Sequence, residues 1–245
     1  MTRTREGNAK ERELLEKHGA KVIDFPTIVI SSPSSLKKMD YAIANFEKFD
    51  WVIFTSANGV ALFFQRLAKS RRSLFRNLKV LKKTKFACVG PSTSLALREL
   101  GILCSAMPKK YLTEDLGKLL ARMDIRGKKI LLARAEVANK SISRILRRSG
   151  AIVIEAPVYR TISTGGRRTR TPKNVTDITL TSPSTVEGLV KIFGAKIHST
   201  NARFHCIGPV TAARAREEGI NVSTIAQVHT IDGLISDIVR ESYMR

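Results

Sequence analysis

The chain has 245 residues, with 43 Lys plus Arg against 21 Asp plus Glu and a formal net charge of +22. A 43% hydrophobic share suits a folded globular protein, and no apolar run approaches the roughly 18 residues that a membrane helix needs. The first residues carry no apolar leader segment, and Cys88, Cys104 and Cys206 have neither metal-type spacing nor an even count, so a cytoplasmic chain without a disulfide framework is expected. The basic excess attracts polyanions: nucleic acid, an anionic membrane surface, or a small substrate rich in carboxylates or phosphates. Its densest run, Arg66 to Lys85, is interleaved by Phe75 alone, a poor stacking platform for single-stranded nucleic acid.

In chain order the pattern alternates between strand and helix. A helix is expected over Glu6–His18 with Gly19 as its stop, then a strand over Lys21–Ile30 interrupted at Pro26, then a helix over Asp40–Lys48. The continuously apolar Trp51–Phe54 reads as a buried parallel strand, and Thr55-Ser56-Ala57-Asn58 caps a helix to about Ser70. Phe86–Val89 is a strand, Gly90-Pro91-Ser92-Thr93 a turn, and Ser94–Leu100 a helix. A short strand over Ile102–Ala106 and a helix over Thr113–Met123 complete this half. The second half offers strands over Lys129–Ala133, Asp177–Leu180 and Phe204–Ile207, and an extended stretch over Ala151–Ile162 interrupted at Pro157. Its helices are expected over Ser141–Arg148, Val186–Phe193, Thr211–Glu218 and Ile231–Ser242, with Ser163–Thr176 as a loop. Alternation of this kind implies parallel sheets wrapped by helices.

The two halves repeat one another. Cys88-Val89-Gly90-Pro91 returns as Cys206-Ile207-Gly208-Pro209, an offset of 118 (206 − 88). Phe54-Thr55-Ser56 returns as Leu180-Thr181-Ser182, an offset of 126 (180 − 54), and His18-Gly19-Ala20 returns as Ser149-Gly150-Ala151, an offset of 131 (149 − 18). Three pairs in one order mean two similar units, and a cleft where two units meet is a preferred place for ligands. Applied to the strand Lys129–Ala133, the last offset leaves Met1 alone before Thr2 in place of an apolar run, so the matching first strand is either very short or entered partway.

The Thr-Ser and Gly-Pro turns fall where strands end and helices begin, the edge at which open α/β sheets bind ligands. Hydroxyls together with helix-start N–H groups suit an anion, although Ser and Thr cap helices in most proteins for structural reasons alone. There is no Walker A loop, no Gly-x-Gly-x-x-Gly and no His-Glu-x-x-His, and the histidines His18, His198, His205 and His229 read as structural. No metal and no cofactor is expected, which leaves binding by hydroxyls, amides and basic side chains.

The ordered set Asp50-Trp51-Val52-Ile53-Phe54-Thr55-Ser56-Ala57-Asn58-Gly59-Val60, Val89-Gly90 with Thr93, Gly150 with Pro157-Val158-Tyr159-Arg160-Thr161, Thr181-Ser182-Pro183-Ser184, and Ile207-Gly208-Pro209 with Thr211-Ala212 resembles the uroporphyrinogen-III synthase family over nearly the whole chain. The resemblance implies two similar open parallel-sheet α/β domains joined by a two-stranded connection, with a cleft between them. One domain would combine 1–31 with 162–245, the other would span 34–159, and 26–33 and 158–163 would be the crossing strands. It implies a monomeric lyase of tetrapyrrole synthesis acting on hydroxymethylbilane, with hand-over from the preceding pathway enzyme and with no membrane and no specific nucleic acid as partner. Tyr159 would be catalytic, its phenol assisting departure of a hydroxyl. Arg3, Thr55, Ser56, Thr93, Arg134, Lys140, Ser182, Ser184, Gly208 and Thr211 would contact substrate. The alternative is a non-catalytic module of the same fold that recognises an anionic metabolite or nucleic acid.

Overall fold

The computed structural model describes residues 1–4, 6–70, 83–164 and 174–243. Most of the basic run Arg66–Lys85 and of the expected loop Ser163–Thr176 lies outside them. The chain divides into two compact units: unit 1 is Met1–Ile30 with Thr161–Arg245, and unit 2 is Ser31–Arg160. No described helix is long and apolar enough to cross a membrane.

In unit 2 the helices are α2 (Lys37–Ala44), α3 (Ala57–Lys69), α4 (Pro91–Glu99), α5 (Thr113–Ala121) and α6 (Ser141–Arg148). They accompany strands β2 (Trp51–Phe54), β3 (Lys85–Cys88) and β4 (Lys129–Ala135). Strands β1 (Ile28–Ser31) and β5 (Ile152–Ser163) carry the chain across the two unit boundaries. The sheet order is β1-β5-β4-β2-β3, and β3, β2, β4 and β5 run parallel. Every residue of β2 is buried, which is why its sequence is apolar without alternation. Helix α3 buries Val60, Phe63 and Leu67 along one stripe, and burial of side chains that size contributes about 1.5–3 kcal/mol each. On the sheet, Trp51, Ile53, Ile130, Leu132 and Ala87 pack with Leu116, Leu120, Ile142 and Leu146 of α5 and α6.

Unit 1 follows the same plan. Helix α1 (Ala9–Lys17), entered through a 3-10 turn at Glu6–Asn8, leads to strands β6 (Asp177–Leu180), β7 (Arg203–Cys206) and β8 (Val222–Ile225), which form a parallel sheet in that order. Helices α7 (Pro183–Phe193), α8 (Pro209–Glu217) and α9 (Ile231–Tyr243) follow in chain order. Beside β6, Thr2 Oγ1 donates to the Thr179 carbonyl at 2.6 Å, and the Met1 and Thr2 carbonyls accept from Phe25 N–H at 3.0 Å and Thr27 N–H at 3.1 Å. Met1 and Thr2 thus stand where β4 stands in unit 2, and the 25–27 stretch stands where β5 does.

Three expectations need correction. Lys21–Ile30 is a strand only from Ile28: ahead of it the Phe25 and Thr27 N–H groups bond to the Met1 and Thr2 carbonyls, and the Thr27 carbonyl accepts from Thr164 N–H at 2.9 Å, without forming a continuous ladder among the described residues. Ile102–Ala106 makes a single bridge, Ala87 to Ala106, although its repeat partner is the full strand β8, which the sequence reading passed over. Pro157 does not interrupt β5: a register shift between Arg134 and Ala135 accommodates it, so Pro157 lies opposite Arg134 and Tyr159 opposite Ala135.

Candidate functional site

In unit 2 the parallel strands end on one edge, and Thr55-Ser56 follows the end of β2. Ser56 is extended (φ −156°, ψ 154°) and caps α3 by accepting from Gly59 N–H at 3.1 Å. Its Oγ also lies 2.9 Å from the Tyr159 hydroxyl. The shift that absorbs Pro157 sets the phase of β5 from there on, and so helps bring Tyr159 to that hydroxyl. Tyr159 is only 7% exposed. Burial pushes its phenol above its ordinary range and outweighs the opposing hydrogen bond from Ser56, so at neutral pH it is a protonated donor. If Ser56 donates to the phenol oxygen while accepting from Gly59, the phenol proton is free for a ligand.

The other residues of this edge differ in reach. Thr55 is half-buried, whereas Thr93 is buried in the first turn of α4, where Gly90 is the N-cap and Pro91 the first helical residue. Lys140 is exposed at the start of α6 and lines a groove of about 590 Å³ with Lys37, Lys38, Tyr41 and Arg147. Arg134, expected to contact substrate, is engaged within the protein. Its side chain is 6% exposed, pairs with Glu155, and donates to the Asn139 carbonyl at 2.5 Å. Burial pushes Glu155 up, but the charge and hydrogen bond of Arg134, helped by Ser143 and Arg147, hold it below the usual carboxylate range.

Unit 1 repeats the turns without the phenol. Ser182 (φ −164°, ψ 159°) caps α7 and accepts from Thr185 N–H at 3.3 Å, while Thr185 Oγ1 accepts from Ser182 N–H at 3.2 Å, a reciprocal capping box. Ser184 is half-buried in the same first turn. Gly208 caps α8 ahead of Pro209, and Thr211 is buried behind it. Arg3 is half-buried, and burial lowers its guanidinium pKa against the attraction of Glu11. His205 is structural, as expected: its ring nitrogens meet Asp177 Oδ1 at 2.8 Å and Thr224 Oγ1 at 3.0 Å. Among the described residues no cluster of His, Cys, Asp and Glu could hold a metal ion. Sequence reasoning proposed Ser56 and Tyr159 separately, and nothing in the spacing announced their contact.

Two parallel-sheet α/β units with hydroxyl-bearing turns at their strand ends define a two-unit α/β class of protein. Residues 9–236 match the family model described as uroporphyrinogen-III synthase HemD. The chain belongs to the uroporphyrinogen-III synthase family. It is 29% identical over 241 residues to a uroporphyrinogen-III synthase of Synechococcus elongatus, covering 90% of this chain and 86% of that one. It is 28% identical to the porphyrin biosynthesis protein HemD of Ruminiclostridium josui, covering 98% of this chain and about half (47%) of that protein's length. The fold is similar to the crystal structure of a mutant uroporphyrinogen III synthase from Thermus thermophilus, with a TM-score of 0.70 at 18% identity and full coverage of both chains.

Proposed function

We propose that the chain catalyses the cyclising dehydration of hydroxymethylbilane, with inversion of the terminal pyrrole ring, to give uroporphyrinogen III. The family match across residues 9–236 is the observation that carries this reading. The substrate is a linear tetrapyrrole whose acetate and propionate arms make it a small polyanion. A chain of net charge +22 with capped helix starts at its strand ends suits such a molecule.

Loss of the terminal hydroxyl leaves an azafulvenium cation. Attack through the substituted carbon of the far ring gives a spiro intermediate that fragments and recloses. Most of this reactivity is the substrate's own, so the protein's task is to hold the chain bent and suppress simple head-to-tail closure. In this reading Tyr159, protonated and 2.9 Å from Ser56 Oγ, donates to the departing hydroxyl. Thr55, Ser56, Ser182 and Ser184 and the helix starts beside them take carboxylates, with Lys140 and Arg3 adding charge. Thr93, Gly208 and Thr211 shape the Gly-Pro turns. Arg134 acts through Glu155 as a support for the end of β4.

Supplied with hydroxymethylbilane, the purified chain is expected to form the type III isomer, resolved from type I by chromatography of the oxidised products. Type I alone, at the spontaneous rate, would overturn the proposal.

A further inference from the structure

Cys88 ends β3, and Cys104 lies on the segment beside it. The Ala87–Ala106 bridge holds the two backbones together, with Cys88 N–H donating to the Ala106 carbonyl at 3.0 Å and Ser105 N–H to the Phe86 carbonyl at 2.7 Å. Both cysteines are free thiols, and their Sγ atoms stand 2.8 Å apart. Cys104 is half-buried, whereas Cys88 is fully buried. The pair is peculiar to unit 2: in the repeat Cys206 matches Cys88, but Val222 matches Cys104.

We propose that Cys88 and Cys104 are a thiol-modification site that takes low-molecular-weight disulfides and closes to an internal disulfide. Exposure fixes the order of events. The Cys104 thiolate attacks one sulfur of the small disulfide, whose S–S bond breaks and releases a thiolate that takes up the proton Cys104 lost. Cys88 then gives up its proton and attacks the Cys104 sulfur, expelling the second small thiol, which carries that proton away. Two protein thiols are oxidised and one small disulfide is reduced to two thiols, so electrons and protons balance.

The surroundings favour this assignment of roles. The hydrogen bond between the two sulfurs holds the Cys104 thiol down at about 7 and pushes the Cys88 thiol up. The Ser94 hydroxyl, in the first turn of α4, lowers both thiols, and the positive end of that helix favours an attacking thiolate. Cys206, buried without such help, is pushed up to about 11.

The test reads masses rather than turnover, so it is independent of the proposed reaction. The reduced full chain is incubated with oxidised glutathione, quenched in acid, and mapped by mass spectrometry. The parent should lose two hydrogen masses and yield a peptide linking Cys88 to Cys104. Cys88→Ser should accumulate glutathione on Cys104 at least about 10-fold faster than on Cys206. Cys104→Ser should leave Cys88 unmodified, and Cys206→Ser should behave as the parent. The parent result decides the matter even where a variant fails to fold. Absence of the Cys88–Cys104 link at equilibrium, or equal labelling of Cys104 and Cys206 in Cys88→Ser, would overturn the proposal.

Discussion

In unit 2 the strand Lys129–Ala135 lies between β2 and β5, while in unit 1 only Met1 and Thr2 occupy the matching place. Matching positions around it differ between the units. Arg134 is locked against Glu155, whereas its repeat partner Arg3 lies half-buried and faces Glu11 without a direct ion pair among the described residues. Ile142 fills the unit 2 core where unit 1 carries Glu11, fully buried, with Oε1 accepting from Thr179 and Oε2 without a partner among the described residues. Tyr159 reaches Ser56 in unit 2, and the matching residue of unit 1 is Ile28. A repeated plan therefore preserves helix caps and strand order while leaving each unit free to place its charges.

The largest expected effect comes from the Arg134–Glu155 ion pair. Arg134→Met should destabilise the chain by about 3 kcal/mol, because it strands a partly buried carboxylate, and Arg3→Met should cost only about 1 kcal/mol. Urea midpoints of the two variants check this. A stable Arg134→Met protein with a raised KM would instead make Arg134 a substrate contact. Glu155 also fixes a pH dependence. Its folded pKa is depressed, so its contribution is present above the ordinary carboxylate pKa of about 4.3 and is lost as pH falls through the folded value.

The paired glycines Gly19 and Gly150 test the same contrast more gently. Both take positive φ, +78° and +84°, after α1 and α6. A Cβ at Gly19 would meet open space, but one at Gly150 would come within 2.9 Å of Arg126 Cγ. Gly19→Ala should cost about 1 kcal/mol from the left-handed backbone alone, and Gly150→Ala about 2 kcal/mol in thermal unfolding. Equal costs would mean that the Arg126 stem yields freely.

Glu11 should give a change of opposite sign. Burial raises its pKa, with the Thr179 hydrogen bond opposing. A raised carboxyl contributes fully below about pH 4.3 and loses that contribution as pH rises through its folded value. Glu11→Gln, neutral throughout, should therefore be more stable than the parent at pH 8 by roughly 1 kcal/mol and no better at pH 4. Urea melts at the two pH values check it. An unchanged difference between them would show that Glu11 does not titrate in this range.

Much of this architecture was legible in the sequence because it rests on local signals. Trp51–Phe54 announced a buried strand, Ser56 and Ser182 announced caps, and the Gly-Pro turns announced helix starts. What stayed hidden depends on tertiary register. The pattern of Val222–Ile225 is too short and mixed to declare a strand before β7 supplies its partner. The burial of Arg134 follows from Glu155 on the neighbouring strand, 21 residues away. The approach of Tyr159 to Ser56 depends on a register shift beside Pro157, which the sequence marked only as an interruption.

The most direct measurement of the proposed division between the units is the turnover of Tyr159→Phe in forming the type III isomer, beside Ser182→Ala in unit 1. If the phenol assists departure of the hydroxyl, Tyr159→Phe should fold as the parent does and lose about 10-fold or more in kcat, while Ser182→Ala changes KM and stability more than kcat. A Tyr159→Phe protein with the parent's kcat would contradict the account and leave Tyr159 as a packing residue of β5.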